Sequence, residues 1–209
     1  MFEYNQKYID FDTETEGLNY RYSRPWEFSY LQCQGHQVKS KRQVYIDVPN
    51  LQLSDFVKKL TGFSQEKYDD TKISPRDAWD EIEAIIYDEN NILVGQNILF
   101  FDVWMIPLIA EMAGVKIEQF DYSFMDRFMD TRFLAVAWKN QLDKPRDGDY
   151  LHWFYKLHYD KDLKRRGVGQ EALLKALGIP YDRYQLHDGL YDVGMNWKIF
   201  LELKKILKL

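Results

Sequence analysis

The 209-residue chain predicts a mixed α/β layer fold, with helices packed on a sheet. Three observations carry this reading. A first apolar strand is followed by two strands separated by a connection of hairpin length. Helical periodicity then alternates with further short apolar strands. Finally, no internal repeat, low-complexity tract or clean linker divides the chain, so its length suits one domain over residues 1–209.

The elements can be taken in order. "KYIDFD" (7–12) reads as the first strand. "WEFSYLQCQG" (26–35) and "KRQVYIDV" (41–48) follow, and the separator "HQVKS" predicts an antiparallel pair. "LQLSDFVKKL" (51–60) has the look of a short helix. A stronger one covers 72–89, with Ser74 as N-cap, Pro75 at the first helical position and an apolar stripe of Ala78, Trp79, Ile82, Ile85 and Ile86. "NILVGQN" (91–97) is a strand ending in turn residues, and 101–114 a helix that Pro107 should kink or start. Residues 120–138 read as a short strand and then a helix. The polar, charged and aromatic stretch 139–167 reads as an insertion, with a helix around "YLHWFYKLH". A helix at 169–178 and a long amphipathic one from about Leu190 complete the chain.

Composition limits the function classes. Hydrophobic residues make up 45% of the chain, enough for a core, and the formal net charge is −5, which disfavours a purely basic nucleic-acid binder. It does not exclude a nuclease, because divalent cations can offset acids at a site. The single cysteine, Cys33, excludes an internal disulfide and fits a reducing compartment. With neither a secretory signal nor a membrane span legible, the expectation is a soluble, cytoplasmic protein without a membrane partner.

The chemistry is concentrated in acids. In "IDFDTETEG" (9–17), Asp10, Asp12, Glu14 and Glu16 alternate, so a strand would place them on one face. Like charges that close repel one another and raise each other's pKa. Asp102 sits where an apolar strand meets an apolar helix, and Asp192 follows His187 by five residues in "LHDGLYDVGMNW". A two-metal site needs such carboxylates brought to one point from separate elements, and a histidine can take the proton from an attacking water. Taken singly, each acid is as well explained as a turn former or helix cap, Asp102 above all. His36, His152 and His158 are assigned to surface or packing roles.

Order and spacing shift that balance. The chain resembles the DnaQ-like, or DEDDh, 3′–5′ exonucleases of the ribonuclease-H-like superfamily. The resemblance rests on Asp12-Thr13-Glu14-Thr15-Glu16-Gly17-Leu18, on Asn97 with Phe101-Asp102, on Asp130-Thr131, on "LLKALGI", and on His187-Asp188-Gly189-Leu190-Tyr191-Asp192. It spans residues 7 to about 203. It implies a ribonuclease-H-like sheet of three antiparallel strands and then parallel strands, flanked by helices. It further implies that Asp12, Glu14 and Asp192 hold two divalent ions, Mg²⁺ with Mn²⁺ as substitute, and that Asp102 completes the set largely through a water. His187 would be the general base. Thr15, Gly17 and Leu18 would contact the terminal nucleotide, with Asn97 and Phe101 helping to position it.

The implied activity is release of nucleoside 5′-monophosphates from single-stranded 3′ ends, DNA favoured over RNA, with a polymerase or other replication partner compatible. An exoribonuclease of the same family and a non-catalytic nucleic-acid scaffold are the alternatives. Two departures bear on the site. Glu16 stands where the family has Thr, which would put a solvated acid at the pocket rim. The spacing from Asn97 to Asp102 resembles that of polymerase-linked domains, whose third motif is Tyr-x-x-x-Asp, and Tyr184 to Asp188 matches it. His187 and Asp192 are preferred because Gly189 and the following helix fit the His pattern. The cations of 139–167 (Lys139, Lys144, Arg146, Lys161, Lys164, Arg165 and Arg166), with Trp153, Phe154 and Tyr155, are read as a grip on the strand.

Overall fold

The computed structural model describes residues 5–17, 19, 22–146 and 148–209. Its sheet has five strands in the order β3-β2-β1-β4-β5. They are β1 (Lys7–Thr15), β2 (Pro25–Gln34), β3 (Gln37–Tyr45), β4 (Asn91–Gly95) and β5 (Phe128–Asp130). The first three are antiparallel, and β4 and β5 run parallel to β1 and β4 respectively. This is the mixed sheet expected from the sequence. Eight α-helices lie among the described residues: α1 (Asp55–Thr61), α2 (Gln65–Thr71), α3 (Pro75–Ile86), α4 (Asp102–Met112), α5 (Thr131–Lys139), α6 (Tyr150–Tyr159), α7 (Gln170–Ala176) and α8 (Gly189–Ile206).

Alternation along β1 packs both faces of the sheet into one main core. One face carries Tyr8, Asp10, Asp12 and Glu14, and α8 covers it: Tyr8 packs on Trp197 and Phe200 with ring centroids 5.3 and 5.5 Å apart. The other face carries Ile9, Phe11 and Thr13, with Phe11 stacked on Phe28 at 5.2 Å. Ile82, Ile86, Val103 and Ile106 of α3 and α4 belong to the same buried cluster. A separate small cluster of Trp26, Tyr45, Val48, Leu53 and Tyr68 supports the region of α1 and α2.

Several boundaries differ from the sequence expectation, for local reasons. The hairpin turns at Gly35 and His36 rather than across 36–40, and β3 starts at Gln37, because Gly35 takes the left-handed backbone (φ 59°). Most of β3 is exposed, so it offers no apolar alternation to read. The segment read as a helix at 51–60 begins only after the Ser54 cap, and α2 follows as a separate helix. Its sequence "QEKYDDT" buries only Tyr68, which leaves no periodic signal. Pro107 neither starts nor ends α4; it is buried inside it. Ser74 and Pro75 open α3 as expected.

Candidate active site

The carboxyl end of β1 delivers the first acids. Asp12 and Glu14 are half-buried on the α8 face, opposite Ser29 and Glu27 of β2. The ladder shifts register between Glu14 and Thr15, and the strand ends there. Glu16 therefore leaves the row.

Glu16 corrects the expectation of a solvated rim acid. Arg24 grips it with two bonds, Nε to Oε2 at 2.8 Å and Nη2 to Oε1 at 2.7 Å. The Arg24 and Gln52 backbone N–H groups add one each at 3.1 Å. Burial pushes this carboxyl up, but the Arg24 side chain and the two backbone donors outweigh it and hold it below its ordinary value.

Asp102 arrives from the opposite face. At the end of β4, a side chain on Gly95 would stand 2.1 Å from Ile98 Cγ2 and 2.9 Å from the Phe11 carbonyl. Only glycine lets the chain pass β1 this closely. Asn97 then adopts φ 65°, and Asp130 accepts from the N–H groups of Asn97 (3.0 Å) and Leu99 (3.2 Å). This tie aims the start of α4. Asp102, buried there, accepts from the Thr13 backbone N–H at 3.0 Å and its hydroxyl at 2.6 Å. It is thus fastened to β1 between Asp12 and Glu14, a role its reading as a mere helix cap does not include.

Asp192 comes from the first turn of α8. Asp188 caps that helix by accepting from Tyr191 N–H at 2.9 Å. One oxygen of Asp192 accepts from the His187 N–H at 3.0 Å, the other from Gln170 Nε2 at 3.3 Å. His187 is exposed and sits at φ 74°, a left-handed conformation uncommon outside glycine. Tyr184 of the competing motif is 98% exposed, and its partner Asp188 is engaged as the cap.

Electrostatics shows that these acids share one region. Burial, and then the charges of Asp102, Glu14, Asp192 and Glu27, push Asp12 well above the usual carboxylate range. Glu14 is raised to about 9 by burial, followed by Glu27, Asp192, Asp102 and Asp188. Burial raises Asp102 to about 7 against the pull of the Thr13 donors. It raises Asp192 to about 7 against the His187 N–H, with Asp188 and Glu27 adding to the rise. All the donors are hard oxygens with excess negative charge, a set that fits Mg²⁺ or Mn²⁺. Among the described residues no three His, Cys, Asp or Glu groups form a ready-made cage.

The other anticipated residues are placed as follows. Thr15 is buried and its hydroxyl donates to the Gly17 carbonyl. Asn97 Oδ1 accepts from Arg132 Nη1 at 2.9 Å, and Phe101 is half-buried just before Asp102. Leu18 lies outside the described residues. Asp10, fully buried one pleat behind Asp12, accepts from Asn196 Nδ2 at 2.8 Å. The Thr131 hydroxyl in turn reaches Asn196 Oδ1 at 2.6 Å. Of the aromatics in 139–167, Phe154 is fully buried against Phe133, which removes it from any stacking surface.

Sequence reasoning missed Glu27 and Gln170. Glu27 is 3% exposed and accepts from Ser29 Oγ (2.7 Å) and Gln43 Nε2 (3.0 Å). The first residue of α8, Gly189, lies against it: a Cβ there would be 2.3 Å from Glu27 Oε1. A lone acid in the apolar stretch "PWEFSYL" was the available signal for it.

Comparison with known proteins bears on the family and the fold. The family model RNase_T, described as "Exonuclease", matches residues 9–200. No curated protein sequence matches the chain. Among solved structures, E. coli exonuclease I in complex with a dT13 oligonucleotide aligns with a TM-score of 0.72 at 15% identity, covering 97% of this chain and 42% of that one. The zinc-bound form of the E. coli ExoI–ssDNA complex aligns with a TM-score of 0.72 at 15% identity, covering 96% and 41%. An ExoI/SSB-Ct complex gives 0.72 at 14% identity, covering 98% and 42%. The chain thus spans about two fifths of the proteins whose fold it shares.

Proposed function

Since this chain belongs to the RNase_T exonuclease family, matched over residues 9–200, we propose that it is a metal-dependent 3′–5′ exonuclease acting on single-stranded nucleic acid, DNA in preference to RNA. One observation carries the reading: Asp12, Glu14, Asp102 and Asp192 come from three separate elements, burial raises all four, and the charges of Asp102 and Asp192 add to the rise of Asp12 and Glu14. A fold that needed no cation there would gain by losing that charge. The reading treats residues 1–209 as one exonuclease domain, with 139–167 as its insertion.

In this reading Asp12, Glu14 and Asp192 would hold two divalent ions, Mg²⁺ with Mn²⁺ as substitute, and Asp102 would complete the set. When bound, the ions supply the positive charge that stabilises the attacking and leaving oxygens of an in-line displacement. His187 takes a proton from the attacking water on its imidazole. The water oxygen bonds to the terminal phosphorus, the bond from phosphorus to the preceding O3′ breaks with its electron pair on O3′, which takes a proton from solvent water, and the nucleoside 5′-monophosphate is freed from the shortened strand. What supports this role is the left-handed backbone at His187 and its N–H bond to Asp192, which tie this residue's main chain to one of the cluster acids. Thr15, Gly17, Asn97 and Phe101 would contact and position the terminal nucleotide, as would Leu18, which lies outside the described residues.

DNA is favoured because the fold matches exonuclease I in complex with dT13 and dA16 oligonucleotides. The ExoI/SSB-Ct complex makes a replication-linked protein partner a reasonable companion. No helix among the described residues is long and apolar enough to cross a membrane.

The test is incubation of the purified protein with 5′-labelled single-stranded DNA and RNA in Mg²⁺ or Mn²⁺, then with chelator. Stepwise shortening from the 3′ end, lost with chelator and faster on DNA, is the expected result. Faster shortening of RNA would make it an exoribonuclease, and hydrolysis of neither would leave a binding scaffold.

A further inference from the structure

On the loop between α6 and α7 lies a feature of opposite charge that the hydrolytic site does not use. Lys139, Lys164, Arg165 and Arg166 surround a concavity of about 550 Å³, with Leu163 as its apolar lining. None of the four cations forms an ion pair among the described residues. In a chain of net charge −5, four uncompensated cations around one hollow are a local excess that an anion would relieve. The volume falls within the range of small-ligand pockets.

The hollow is built on an anchored loop. Asn140 clamps the Lys164 backbone from both sides, its Oδ1 accepting at 2.9 Å and its Nδ2 donating at 3.0 Å. Lys139 Nζ donates to the carbonyls of Arg166 (3.3 Å) and Gly167 (2.5 Å). Arg165 donates to the carbonyls of Leu157 (2.9 Å) and Asp160. The side chains of Lys164 and Arg166 remain exposed and make no hydrogen bond among the described residues.

The same loop runs straight to the candidate site. Val168 is buried and its carbonyl accepts from Gln96 at 2.8 Å, and Gln170 reaches Asp192. Four residues from Arg166 to Gln170 span at most about 14 Å.

We propose that this hollow is a backbone subsite that takes internal phosphates of a single strand whose 3′ end lies at the carboxylates. The inference rests on the exonuclease reading. It adds that length dependence and salt dependence reside in a segment that contains none of the hydrolytic residues. It also divides the earlier reading of 139–167: the cations around the hollow act, whereas Phe154 belongs to the core and Lys144 turns away to the Lys208 carbonyl.

The test is the double variant K164Q/R166Q, which spares Lys139 and Arg165 because they hold the loop. Fluorescence anisotropy of a 20-nucleotide single-stranded DNA is measured in chelator, so it reads binding without hydrolysis. The expected result is an affinity at least about tenfold weaker in low salt. The slope of log K against log[salt] should fall by about 1.4, since each single-strand phosphate contact contributes about 0.7. In Mg²⁺, the ratio of activity on the 20-mer to that on a dinucleotide should fall about tenfold. Equal losses on both substrates, or an unchanged salt slope, would overturn the subsite. A reduced slope in a protein that hydrolyses neither substrate would keep the subsite and reject the exonuclease reading.

Discussion

At the scale of single residues, acids with the same charge and the same face have different duties. Asp12 faces the shared cluster, whereas Asp10 is fully buried and hydrogen-bonded to Asn196. Asp10→Asn keeps the shape and an acceptor for that bond, so its kcat should stay within about tenfold of the parent. Asp12→Asn removes charge worth several kcal/mol of transition-state stabilisation and should lower kcat by at least about 100-fold. Steady-state hydrolysis of a labelled strand separates the two, and equal effects would contradict this division. His187→Ala should lower kcat by about 10²–10⁴ as loss of a general base. Tyr184→Phe should change little, since the ring is 98% exposed. A collapse of activity in Tyr184→Phe alone would reassign the third motif. Asp12, Asp102 and Asp192 were legible through their order and spacing along the chain, since each alone reads equally well as a turn former or helix cap. Glu27 was not, because a single acid inside a strand gives no clue to which face it takes or what lies across from it.

At the scale of elements, the seat of α8 on β2 decides where Asp192 stands. Gly189 is needed there because Glu27 occupies the space that a side chain would fill. Gly189→Ala should destabilise the protein by roughly 1–3 kcal/mol, the usual range for overpacking, and read out as a lower Tm. Shortening the obstacle in the double variant Gly189→Ala/Glu27→Asp should return part of that loss. If the double variant is no more stable than the additive sum, the two groups are not in conflict. The sequence displayed α3 and α8 clearly, through caps and apolar periodicity. It displayed β3 and α2 poorly, because an exposed edge strand and a helix that buries one tyrosine follow no apolar period. Contacts between elements distant in sequence, such as Asp102 on Thr13, 89 positions apart, leave no local pattern at all.

At the scale of the whole molecule, the acidic cluster links stability to pH and to divalent cations. Asp102 and Asp192 titrate at about 7 and Glu14 at about 9 in the folded chain, against ordinary values of 3.8 and 4.5. The folded state therefore holds more protons than the unfolded state between about pH 4 and pH 9. Where the folded state binds more protons, stability falls as pH rises. This contribution is fully present below about pH 4 and is lost as pH climbs through 7 and then 9. A cation binding only the folded, ionised cluster reverses the trend, adding RT ln(1 + [L]/Kd), about 2.7 kcal/mol at a hundredfold excess over Kd. In chelator, Tm should therefore decline from pH 6 to pH 9, and Mg²⁺ or Mn²⁺ should flatten or invert the decline. Asp12→Asn should lessen the decline in chelator, because it removes one of the repelling charges, and should weaken the rescue by metal. Both changes can be read by thermal denaturation without any substrate. A protein whose Tm rises from pH 6 to pH 9 in chelator, or ignores divalent cations at pH 8, would show that these carboxylates are neutralised by some other means.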